Sequence, residues 1–157
     1  MKQKCIVYLT ILLVTLVSCN TEAAKKQKEQ KLAEEVMAVH DEIMPKMDII
    51  FKLRKDLKNL ANERAAWNDS VGTEDPSLRI PESVMSENAA LIRALDSSDK
   101  AMMDWMHNYN GGEGIYDHEE IMAYLNEEKN KIMSVRELML KSIQDSENYL
   151  SREEKNK

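Results

Sequence analysis

The stretch LAEEVMAVHDEIMPKMDIIFKLRKDLKNLANERAAW, from Leu32 to Trp67, decides the fold. Its apolar residues return at steps of three and four: Val36, Val39, Ile43, Met47, Ile50, Leu53, Leu57 and Leu60. Because an α-helix turns once in 3.6 residues, those steps keep one face apolar along the whole segment. One long helix with a core stripe is expected. Pro45 sits inside it, has no backbone N–H to donate and crowds the carbonyl of Asp41, so a kink or local widening is expected there.

Downstream, two breakers divide the chain. Asn68 to Pro76, followed by Pro81, gathers turn-forming residues, and residues 68–82 read as a first loop. A second helix, about Ser83 to Tyr109, carries Val84, Leu91, Leu95, Met102, Met106 and Tyr109, with Asn88 and Ser98 as polar interruptions. Asn110-Gly111-Gly112-Glu113-Gly114 ends it, since glycine supplies the positive φ of helix exits. Asp117 and Glu120 give the next helix its N-terminal signal, and Ile121, Leu125, Ile132, Met139, Ile143 and Leu150 give it a stripe. Four glycines, three prolines and one phenylalanine in 157 residues argue against a sheet protein. The expected fold is therefore all-α: an antiparallel three-helix, up-down-up bundle with coiled-coil-like packing over residues 31–153, with 154–157 frayed.

Upstream, MKQKCIVYLTILLVTLVSCN places Lys2 and Lys4 before an apolar run, Ile6 to Val17, that is short for a bilayer span. Residues 1–18 read as a signal peptide. Leu16-Val17-Ser18-Cys19 resembles the lipobox of bacterial lipoproteins, which implies diacylglycerol on the Cys19 thiol, cleavage before it and a mature chain beginning there. Residues 19–30 then serve as a tether, and the partner implied is membrane lipid through acylated Cys19. With Cys5 removed and Cys19 consumed, no thiol is left for a disulfide, a thiolate metal site or catalysis. The formal charge is −6, and losing Lys2 and Lys4 with a segment that holds no acid takes it to −8. An acidic surface argues against nucleic acid and against flat adsorption to anionic lipid.

The one constellation with chemical content is a layer of histidine and methionine. With helices laid antiparallel, His40 lies roughly 26 residues before the first loop and His107 roughly 24 after it, level to within about one turn. The glycine loop brings His118 to the same end, with Met37, Met44, Met47, Met102, Met103, Met106 and Met122. Projected at about 100° per residue, His40, Met44 and Met47 share one shoulder with Phe51, Met106 points inward, Met103 and His107 form a flank, and His118 and Met122 begin the last helix. Thioether and imidazole together are a soft ligand set for Cu(I), or axial ligands for a haem iron. Candidate copper ligands are His40, Met44, Met47, Met103 and His107, with Met106, His118 and Met122 in reserve. The favoured competing reading is packing: methionine fills irregular gaps, and a histidine at a core edge satisfies its nitrogens locally.

Trp105, Tyr109, Tyr116 and Tyr124 crowd the same end, either as an exposed partner surface, with Trp105 outward, or as a seal on the core. No nucleophile elbow, phosphate loop, haem-attachment motif or zinc-protease motif can be drawn, so a non-enzymatic role is expected.

Two segments, Val36 to Met47 and Ala101 to His107, resemble small lipoproteins of Bacteroidota that often carry the label "viral A-type inclusion protein". The resemblance implies coiled-coil character and an envelope location, and supplies no catalytic residue or cofactor. In that group an acidic run soon after the lipidated cysteine directs proteins to the cell surface. Asn20-Thr21-Glu22-Ala23 is not such a run, which favours the outer membrane facing the periplasm. The expected job is interaction or scaffolding with an envelope protein partner, the alternative being the copper or haem bundle.

Overall fold

A computed structural model describes the backbone of residues 2–71 and 75–155, and the side chains of 21–71 and 75–155. The signal segment and the lipidation site at Cys19 lie outside the described side chains. The chain is an all-α helical bundle, and among the described residues there is no strand. Helix α1 runs Lys2–Ile43, a 3₁₀ turn Met44–Lys46 joins it to α2, Met47–Val71, and a second 3₁₀ turn Pro76–Leu78 precedes α3, Glu82–Asn108, and α4, His118–Lys155. Residues 21–30, read from sequence as tether, are helical and mostly exposed. Among the described residues no helix is long and apolar enough to cross a membrane.

The chain divides into two compact units, Met1–Ala38 with Asn110–Lys129, and Val39–Tyr109 with Asn130–Lys157. In the second unit the order of paired residues gives the topology. Arg54 meets Asp99 and Leu57 meets Asn88, so α3 runs against α2. Ser98 meets Ser142 and Val84 meets Tyr149, so α4 runs against α3. Glu42 pairs with Arg136 and Arg64 with Glu153, so α4 runs with α2. That is the up-down-up order. In the first unit Glu29 pairs with His118 at 2.6 Å and Glu35 with Lys129 at 2.7 Å, around buried Leu32, Val36 and Leu125.

The buried residues repeat every seven. Ile43, Ile50, Leu57 and Arg64 form one series, Asn88, Leu95 and Met102 another, and Ile132, Met139 and Ser146 a third. Seven-residue spacing is the coiled-coil period, in which each helix keeps its seam on its neighbours by supercoiling. At Pro45, where a kink or a local widening is expected, the rod is interrupted by a tighter 3₁₀ turn, with the Met47 N–H donating to the Met44 carbonyl. A missing proline N–H breaks a bond four residues back, and the three-residue bond of a 3₁₀ turn replaces it. The phase survives, since Ile43 and Ile50 on either side are both buried.

The breakers act largely as expected, with shifted ends. Helix α2 continues to Val71, beyond the expected stop at Trp67. The reason is local: Trp67 Nε1 donates to the Leu78 carbonyl at 3.1 Å, and Asn68 bonds both backbone groups of Ile80, so these residues clamp the loop from a helical turn. Asp117 caps α4, its Oδ1 accepting from the N–H groups of Glu119 and Glu120 at 3.0 and 3.1 Å. In the glycine loop Gly112 has φ of +84°, and a Cβ there would stand 2.9 Å from Ile121 Cγ1, so both conformation and space require glycine.

Candidate functional site

The expected histidine and methionine candidates fall in both units. His118 and Met122 belong to the first unit and the other candidates to the second. His40, Met44 and Met47 are half-buried. The His40 ring lies 5.6 Å from the Trp105 ring, and its Nδ1 is 2.9 Å from Asp41 Oδ1. Trp105 is the side chain that α3 turns inward: it is 6% exposed and stacks on Tyr109 at 4.8 Å.

That corrects the projection of α3. Met102, Trp105 and Tyr109 make its inner face, and at about 100° per residue Met106 sits roughly 65° from the middle of that face, Met103 roughly 125° and His107 roughly 165°. Exposure follows the angles: Met106 is 38% exposed, Met103 52%, and His107 is exposed as well. Met103 and His107 therefore lie on the outer side of α3, while His40 meets the inner side through Trp105. Among the described residues no group of three or more histidine, cysteine or acidic side chains is gathered at metal-holding distance. Of the aromatic cluster, Trp105 and Tyr109 close the core. Tyr124 accepts a bond from the Asn110 N–H through its hydroxyl at 3.1 Å, and Tyr116 stands 97% exposed.

Two features were not found from sequence. Arg64 occupies a buried core position, following Leu57 by seven residues. Its guanidinium donates to the Tyr149 hydroxyl and to Glu153, and lies 5.7 Å from the Tyr149 ring centre. Tyr149 O–H in turn donates to the Val84 carbonyl at 3.4 Å, so this cluster ties α2, α3 and α4 together.

The second feature is a groove between α2 and the last turns of α4, with an open volume of about 800 Å³. Ile49, Leu53 and Leu150 line it, and it continues along the same helices past Leu60. Carboxylates line its walls: Asp48, Asp56 and Glu63 from α2, and Glu147, Glu154 and the Arg64-paired Glu153 from α4, with one basic residue in the lining, Lys52. The other side of α2 is different, with Lys55, Lys58 and Arg54 around Phe51 and one acid, Asp96, paired to Arg54 at 3.0 Å. Acid is thus concentrated beside the apolar floor and is not a uniform consequence of net charge.

Such a groove offers an apolar surface and a local negative potential, which serve binding. Compared with known proteins, the chain matches no family model, no curated protein and no solved structure.

Proposed function

We propose that the protein is a lipid-anchored lipoprotein of the bacterial cell envelope whose helical bundle serves as an interaction or scaffold module, with no catalytic role. The observation that carries the binding half is the acid-walled groove with its apolar floor on a heptad-packed bundle. The anchoring half is supported by the lysines, the short apolar run and the Leu16-Val17-Ser18-Cys19 motif. Buried acyl methylenes contribute about 0.8 kcal/mol each, so a multiply acylated Cys19 would hold the chain on a membrane without help from the bundle. The resemblance to Bacteroidota lipoproteins and the absence of an acidic run after Cys19 support an outer-membrane position facing the periplasm.

The soft-metal and haem readings have no comparable support. They need His40 and His107 to converge with thioether sulfur, and the outer-face positions of Met103 and His107 oppose that.

Metabolic labelling with an alkyne fatty acid, followed by crosslinking in intact envelopes, tests the proposal. Label on the wild-type chain that is lost in Cys19→Ser, with a crosslinked adduct of defined mass, is expected. A chain that takes no label and stays monomeric after crosslinking overturns it.

A further inference from the structure

The α2–α4 groove is specific enough to define its occupant. From Asp48 to Glu63 the α2 wall extends for about 22 Å at ~1.5 Å per residue, room for a helix of roughly four turns. Ile49 is an exposed apolar residue on that wall, and Leu60 and Leu150 are half-buried. A guest lying along them needs an apolar stripe at three- and four-residue steps, the recurring pattern of helices that bind in grooves. On both flanks of the stripe it meets carboxylates: Asp56 and Glu63 on one side, Glu147 and Glu154 on the other. Like charge there would be repelled, and lysine or arginine would be drawn in.

From this complementarity we propose that the groove binds a basic amphipathic helix of a partner protein, its apolar stripe on Ile49, Leu60 and Leu150 and its cations along the two acidic walls. A second copy of this chain fits less well. Its basic side around Lys55 and Lys58 offers one strongly exposed apolar side chain, Phe51, where the groove floor asks for a stripe. The inference rests on the interaction-module reading and names the partner's chemistry.

The test uses the full chain carrying Cys19→Ser and a synthetic 18-residue Leu/Lys amphipathic helix bearing a photoreactive group. Controls are the same pattern with glutamate for lysine and a scrambled Leu/Lys peptide. Crosslinks mapped to residues 48–63 and 147–154 are expected, with binding weakened tenfold or more by Asp56→Lys with Glu154→Lys. Reversal of two acids away from the groove, Asp104→Lys with Glu137→Lys, is expected to change it less than threefold. Equal loss from both reversals, equal binding of the scrambled peptide, or crosslinks spread over other faces would reduce the effect to net charge and overturn the proposal. Concentration-dependent self-association that competes with the peptide would also overturn it and assign the groove to a second copy. The crosslink map on the groove-intact chain decides the matter even where the reversed chain fails to fold. Should the groove fail while the envelope adduct persists, the interaction-module reading stands and this occupant alone is lost.

Discussion

Replacing Arg64 probes the second unit where a charge occupies a core position. In Arg64→Ala, Tyr149 loses its guanidinium donor and Glu153 its counter-ion, and the stacking of charge on the Tyr149 ring goes too. A hydrogen bond from a charged donor is worth about 1.5 kcal/mol or more. The cation–ring contact adds about 1 kcal/mol. The ion pair adds up to about 1 kcal/mol, discounted because the Glu153 side chain is 25% exposed. These overlap, and a net loss of about 3 kcal/mol is expected, a Tm fall of roughly 6–12 °C for a chain of this size. Arg64→Leu should behave differently: leucine fills the heptad position, Glu153 turns to water, and stability stays within about 1 kcal/mol of the original. Urea unfolding followed by circular dichroism measures both variants. Alanine within about 0.5 kcal/mol of wild type, or leucine as damaging as alanine, would refute the assignment of Arg64 as a core residue tied to α4.

Three further outcomes are expected. Met102→Ala, at a fully buried position, should lose about 3 kcal/mol, whereas Met103→Ala, one residue on and half exposed, should lose less than about 0.5 kcal/mol in the same urea assay. Glu35 and Glu42 have carboxyl pKa values lowered from the ordinary 4.5, chiefly by the hydrogen bonds from Lys129 and Arg136. A lowered folded-state pKa contributes stability that is present above about pH 4.5 and lost as pH falls through the folded value, so Glu42→Gln should flatten part of the acid limb of a stability–pH curve. Anaerobic Cu(I) competition should find no difference between the chain and its His40→Ala, Met103→Ala double variant; copper retained only by the parent would restore the soft-metal layer.

The fold was largely legible because its signals are coarse. Three stripes, two breaker segments and the Asp117 cap are statements about composition and period, and they survive an error of a residue or two. The inner face of α3 was harder, because an ideal helix drifts by about 20° per heptad against a seven-residue repeat. Over the three heptads from Val84 to Trp105 that drift reaches roughly 60°, enough to exchange Trp105 for Met106 as the inward residue. The seven-step series Leu91, Ser98, Trp105 carried the right answer, masked by the serine in its middle. Arg64 was missed for a related reason. It continues Ile43, Ile50 and Leu57 at the same interval, but a guanidinium is read as outward unless Tyr149 and Glu153, 85 and 89 residues away, are known to receive it. The groove is less visible still, since it depends on which sides of α2 and α4 are left open after their stripes meet.

Ser98 and Ser142 provide the most direct test of that packing, since their hydroxyls lie 3.0 Å apart in the core where α3 meets α4. In a chain with Cys5 and Cys19 changed to serine, Ser98→Cys with Ser142→Cys should oxidise to an intramolecular disulfide with full helix content retained. Ser97→Cys with Ser142→Cys, displaced by about 100° around α3, should not. Failure of the first pair to bridge, or equal bridging by the second, would contradict the register on which the bundle and its groove depend.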